Sequence, residues 1–124
     1  MATDLENIQR LLDRFKRPVP PGPEYQTRLA EEFELILNQR FTDYFLQICD
    51  IIDLTTDLTH MTRGSAGSSL VCYLLGITDV DPIQWRIPVA RFMNPLRDDL
   101  PDVDIDFEHH RQTEVMERIF RKWP

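Results

Sequence analysis

Three aspartates occupy alternate positions in Asp102-Val-Asp-Ile-Asp-Phe107. Strict alternation of apolar and acidic residues is the period of a β-strand. Val103, Ile105 and Phe107 then face a core, and Asp102, Asp104 and Asp106 share the opposite face. Aspartate is a poor strand former, and carboxylates on alternate residues lie only ~6.5–7 Å apart along a strand. Their repulsion is relieved by a bridging cation, and hard oxygen ligands suit magnesium or manganese. On pattern alone the strand is a candidate divalent-metal site. The competing reading is an acidic edge strand that binds nothing. A calcium loop of the EF-hand kind also begins Asp-x-Asp-x-Asp, but here Phe107 replaces the required Gly and Thr113 the required Glu. The adjacent His109 and His110 point in different directions from any regular element, so they read as loop or cap residues.

The second chemical signal is Arg63-Gly-Ser-Ala-Gly-Ser-Ser69, followed by the apolar run Leu70 to Leu75 and then Gly76. A glycine and serine loop opening a short helix aims backbone N–H groups at one point, which suits a phosphate. No Gly-Lys-Ser/Thr follows, so this is not a Walker loop. The alternative is a plain Gly/Ser turn capping a helix.

The elements that carry these residues follow from periodicity. Helices are expected near residues 4–16, 24–39, 43–54, 67–75 and 111–122, with a strand near 102–107. The fold class is therefore α+β and mostly helical. Thr3 and Glu6 fit a capping box at the first helix, and Thr42 is the expected cap of the third. Arg10, Arg14, Lys16 and Arg17 gather where the first helix ends and read as a solvated basic patch, with a nucleic-acid contact as the alternative. Pro18, Pro20, Pro21 and Pro23 stop that helix. Three segments result: an amphipathic helix over 1–17, a Pro-rich linker over 18–23, and the main unit over 24–124. In the second helix Tyr25, Leu29, Phe33, Ile36 and Leu37 form the apolar stripe, with Arg28, Glu31, Glu32 and Glu34 mostly outside it. Thr55 to His60 has the composition of a short strand. Residues 83–93 carry Pro88 and read as irregular or a broken helix.

The chain has 124 residues, 42% of them apolar, which is enough for one folded unit or a piece of a larger one. Its 14 basic and 21 acidic side chains leave a formal charge of −7. That balance argues against holding nucleic acid by bulk charge alone. Cys49 and Cys72 are too few for a disulfide framework or a zinc site, and read as buried thiols. No apolar run approaches the ~20 residues that span a bilayer, and the first residues lack a secretory pattern. The expectation is a cytoplasmic protein with no membrane contact.

A Gly/Ser loop opening a short helix, followed by paired Asp on a strand, is the arrangement of nucleotidyltransferases. Residues Arg63 to Pro82 (Arg-Gly-Ser-Ala-Gly-Ser-Ser-Leu-Val-Cys-Tyr-Leu-Leu-Gly-Ile-Thr-Asp-Val-Asp-Pro), Arg91-Phe-Met-Asn-Pro95 and Leu100-Pro-Asp-Val-Asp-Ile-Asp-Phe107 resemble the palm of bacterial C-family DNA polymerases, the DNA polymerase III α subunits. Pro23-Glu-Tyr25 and Phe41-Thr-Asp-Tyr-Phe-Leu46 fit the region leading into that palm. Phe107-Glu-His-His-Arg111 and Val71-Cys-Tyr73 look closer to the error-prone branch. The resemblance covers about residues 23 to 123 and implies a partial nucleotidyltransferase-like palm whose short sheet carries the acidic strand.

It further implies that Asp104 and Asp106 are metal-binding and catalytic, with Asp102 in support. Arg63, Gly64, Ser65 and Ser69 would face the incoming triphosphate. The reaction implied is addition of a deoxynucleotide to a primer 3′ end on template DNA, with Mg2+ or Mn2+ and release of pyrophosphate. Thr62 and Ser68 stand where the family has Gly, and Ala90 where it has Glu. The family's third aspartate lies farther along a polymerase than Pro124. The expectation is therefore a fragment of a polymerase α subunit, inactive alone. The alternative is a non-catalytic palm-like protein that binds or regulates polymerase subunits.

Overall fold

In the computed structural model, which describes residues 2–58, 60–96 and 100–123, the chain begins with helix α1, Asp4–Leu12. At Arg63, Gly64 and His109 only the backbone is described. Thr3 caps α1, its Oγ1 accepting the Glu6 N–H at 3.2 Å. The helix stops four residues short of the expected 16. The Lys16 and Arg17 N–H groups bond the Leu74 carbonyl, at 2.7 and 3.2 Å, instead of continuing the helical ladder. Pro23 opens α2, Pro23–Gln39, at its first turn, where its missing N–H costs nothing. Arg40 in the left-handed region ends it, and α3, Thr42–Leu54, follows at once.

Thr42 does not cap α3. It is the first helical residue, is buried, and its hydroxyl has no hydrogen-bond partner among the described residues. Phe41 holds the cap position, and its buried ring outweighs the capping preference. The Pro-rich segment joins α1 to α2, and residues on both sides of it share one core. Leu11 is fully buried beside Phe33, Ile36, Phe45, Ile52, Leu70 and Leu74. Phe15 stacks on Phe33 at 6.3 Å, and Val19 packs on the same cluster.

Strand β1, His60–Arg63, lies later than the expected 55–60, of which Thr59 is outside the described residues. It pairs antiparallel with β2, Asp104–Phe107, in a two-stranded sheet. β2 is shorter than the expected 102–107 because its partner offers only four residues. Between the strands in sequence come a 3-10 turn, Gly64–Ser68, and the short helix α4, Leu70–Leu74. The expected single helix over 67–75 is therefore two pieces. Gly76 terminates α4 with φ +79°, and an added Cβ would sit 2.8 Å from Lys16 Cδ. A 3-10 turn over Val89–Arg91 is the regular piece of the Pro88 region.

The last helix, α5, spans Gln112–Lys122. Of its expected stripe only Val115 is fully buried, while Met116 and Phe120 are exposed. Arg118 fastens α5 to the end of α3, reaching the Leu54 carbonyl at 2.8 Å and both Asp57 oxygens at 2.6 and 3.0 Å. The architecture is mostly helical with one small antiparallel sheet among the described residues. No helix among them is long and apolar enough to cross a membrane.

Candidate nucleotide and metal site

The acidic strand behaves as its alternation predicts. Asp104 and Asp106 are exposed, and Ile105 and Phe107 are half-buried on the other face. That lower face, with Val103, overlies an apolar groove of about 550 Å³ lined by Ile48, Ile51, Val115 and Ile119. Tyr44 of α3 fixes the approach to the strand, its hydroxyl donating to the Pro101 carbonyl at 2.7 Å. Burial, and then the charge of Asp102, push the Tyr44 phenol up. The negative charge of Asp102, with a smaller contribution from Asp106, pushes the Asp104 carboxyl up. A cation would relieve such crowding of negative charge. The donors are carboxylate oxygens open to solvent, the kind of ligand that magnesium takes. Among the described residues no cluster of three or more His, Cys, Asp or Glu forms a metal-ligating group.

The register brings the two sequence signals together. Arg63 lies directly opposite Asp104, Thr62 opposite Ile105, and Met61 opposite Asp106. Thus the first residue of the Gly/Ser loop starts on the strand that pairs with the acidic one. Thr62 Oγ1 donates to the Ile77 carbonyl, so its hydroxyl ties β1 to the turn after α4. Gly64 and Ser65 open the 3-10 turn, and Ser65 is half-buried.

Ser69 differs from the others. It is fully buried at the N-cap of α4, where its Oγ accepts the Cys72 N–H at 3.1 Å. The same hydroxyl donates to Glu32 Oε1 at 2.7 Å. Glu32 also accepts the Leu70 N–H at 2.7 Å and the Val71 N–H at 3.1 Å. Arg28 Nε completes the set at 2.8 Å. The N–H groups that the sequence offered to a phosphate at α4 are therefore filled from inside the protein. Burial pushes the Glu32 carboxyl up, yet every partner around it is a donor, which suits its ionised form. Arg28 Nη2 also reaches the Ser68 carbonyl at 2.6 Å and the Ile87 carbonyl at 2.7 Å.

Glu32 and Arg28 were placed outside the apolar stripe by composition. Spacing carried the missed signal: Leu29, Glu32 and Ile36 stand three and four apart, which is one helix face. The C-terminal end of α4 is held as well. Arg17 donates to the Tyr73 carbonyl, to the Thr78 carbonyl at 2.8 Å and to Asp79 at 2.6 Å, and lies 4.3 Å over the Tyr73 ring. The expected solvated basic patch is in fact paired. Arg10 meets Asp43, Arg14 meets Asp50 and Asp53, and Lys16 meets Asp53. Cys49 and Cys72 are buried thiols, and burial pushes Cys49 up to about 11.

A family model described as the bacterial DNA polymerase III alpha NTPase domain matches residues 5–124. An error-prone DNA polymerase of Cutibacterium acnes is 41% identical over 103 residues, covering 82% of this chain and 9% of that protein. The DNA polymerase III subunit alpha of Mycobacterium tuberculosis is also 41% identical, over 113 residues, covering 87% of this chain and 10% of the relative. An error-prone DNA polymerase of Pseudomonas syringae is 37% identical over 121 residues, or 94% of this chain and 12% of the relative. The chain thus spans about a tenth of the length of these curated relatives.

Proposed function

The chain belongs to the bacterial DNA polymerase III α family, and from that premise we propose that it carries the nucleotide- and metal-handling part of a DNA-directed DNA polymerase palm. The observation that supports this most directly is the register of Arg63 against Asp104, which sets the Gly/Ser loop beside the acidic strand. In this reading Asp104 and Asp106 hold Mg2+ or Mn2+, with Asp102 adding negative charge beside them. Arg63, Gly64 and Ser65 face the triphosphate of an incoming deoxynucleotide, and Ser69 supports them from beneath. When bound, the metal supplies Lewis-acid stabilisation of charge on the transferring phosphoryl group.

The residues of this chain bind and orient. The strand holds its carboxylates at a fixed spacing, and the loop, pinned at Thr62, Ser68 and Ser69, presents its outer face to phosphate. Primer-template DNA and deoxynucleoside triphosphates are the substrates of the whole polymerase, with other polymerase subunits as partners. The piece alone extends no primer, because positioning supplies much of the rate of phosphoryl transfer and the chain spans about a tenth of its relatives.

Thermal unfolding in manganese tests the metal site. Manganese should raise the melting temperature by mass action, and magnesium should do so less because it dehydrates reluctantly. The Asp104→Asn/Asp106→Asn variant removes the repulsion. It should be at least as stable without metal and should lose the response. No response of the parent to millimolar manganese, or an equal response of the variant, would remove the metal reading.

A further inference from the structure

The Glu32 carboxylate occupies the N–H groups at the start of α4. It accepts the Leu70 and Val71 N–H groups and the Ser69 hydroxyl, and that hydroxyl in turn accepts the Cys72 N–H. Both Glu32 and Ser69 are fully buried. Arg28 reaches over the same carboxylate to the carbonyls of Ser68 and Ile87. One end of the loop is therefore held by β1, opposite Asp104, and the other by this four-donor carboxylate. An anion arriving from solvent finds the Leu70, Val71 and Cys72 N–H groups occupied; in the turn before them Ser65 and Gly67 are half-buried, while Ala66 and Ser68 are buried.

We infer that Glu32, steadied by Arg28, is the positioning residue of the nucleotide loop: an internal carboxylate that stands in for phosphate at α4 and holds residues 64–68 in the shape that receives a triphosphate beside Asp104. The inference rests on the proposed nucleotide-binding role of that loop. Glu32 touches neither nucleotide nor metal in this scheme. It acts through Ser69 and the backbone of α4.

Glu32→Gln keeps the shape and replaces one acceptor oxygen by a donor, so at least one of the four donors loses its partner. The whole chain is titrated with deoxyadenosine triphosphate and manganese, followed by calorimetry and by the backbone amide signals of residues 63–72. In the parent the triphosphate should move amides within 64–68 and leave those of Leu70, Val71 and Cys72 in place. In Glu32→Gln the affinity for the triphosphate should fall about tenfold or more, as the loop spreads over conformers that do not bind. The manganese stabilisation through Asp104 and Asp106 should persist, which a general loss of structure would not allow.

If Glu32→Gln does not fold, Arg28→Lys carries the test. It keeps a cation but offers one nitrogen where Arg28 uses two, Nε for Glu32 and Nη2 for both carbonyls, so it cannot hold all three in the same geometry, and several-fold weaker triphosphate binding is expected. Direct shifts at Leu70 to Cys72 in the parent overturn the inference. So does parental affinity in Glu32→Gln or, where that variant does not fold, in Arg28→Lys, and either result leaves the loop's nucleotide role standing. A parent whose residues 64–72 ignore the triphosphate overturns that role and this inference together.

Discussion

Replacing Arg17 by Ala tests whether the basic residues after α1 act through ion pairs or through backbone carbonyls. Arg17 makes three kinds of contact: two carbonyl bonds at the end of α4, an ion pair with Asp79, and stacking over Tyr73. The Asp79 side chain is 96% exposed, so that pair is worth about 0–1 kcal/mol by the usual yield of surface pairs. Hydrogen bonds from a charged donor contribute about 1.5–3 kcal/mol each when buried. The Arg17 side chain is 30% exposed and one nitrogen serves both carbonyls, so the two contacts count together as a single such bond, about 1.5–2 kcal/mol. Stacking adds about 0.5–1 kcal/mol. The sum for Arg17→Ala is a loss of about 2–4 kcal/mol, a large part of the ~5–15 kcal/mol that holds an ordinary domain.

Asp79→Asn should cost less than about 0.5 kcal/mol, because only the exposed pair is lost. Urea unfolding followed by the fluorescence of Trp85 and Trp123 measures both. Repeating the series at about 1 M salt, where the Debye length is ~3 Å, should leave the Arg17 effect nearly intact. The reasoning fails if Asp79→Asn costs as much as Arg17→Ala, or if high salt abolishes the difference between parent and Arg17→Ala.

The remaining predictions concern the other paired cations. Arg118 holds the Asp57 carboxyl down at about 2, against an ordinary value near ~3.9. The stability from this contact is complete above the ordinary value and is lost as pH falls through the folded one. Asp57→Asn should therefore flatten the fall of melting temperature between about pH 4 and pH 2; an acid limb as steep as the parent's would contradict this. Binding to duplex DNA should be weak and salt-dependent, because Arg10, Arg14, Lys16, Arg17 and Arg118 already face carboxylates within the chain. A dissociation constant below about 1 µM at physiological salt, measured by fluorescence anisotropy, would exceed ordinary non-specific binding and refute it.

Much of the site was written in local pattern. The alternation in Asp102 to Phe107 set which face each carboxylate takes, because side chains on a strand alternate whatever the strand pairs with. The Gly/Ser run marked a loop ahead of the apolar run from Leu70, because glycine and serine favour turns and helix starts over element interiors. The helical spacing of Leu29, Phe33 and Ile36 placed a core stripe on α2 for the same local reason.

Tertiary structure alone decided what each of these meets. Periodicity tells which way a side chain points and not what faces it, so His60 to Arg63 could not be known as the partner of the acidic strand. Two carbonyl bonds to Leu74 ended α1 at Leu12, although its own sequence favoured another turn. Thr42, a good cap by composition, lost that position once the Phe41 ring was buried. Glu32 looked like a surface acid because a buried carboxylate is affordable only with donors around it. Those donors, at Ser69, Leu70 and Val71, lie 37–39 residues away in sequence and arrive only when α2 packs against α4.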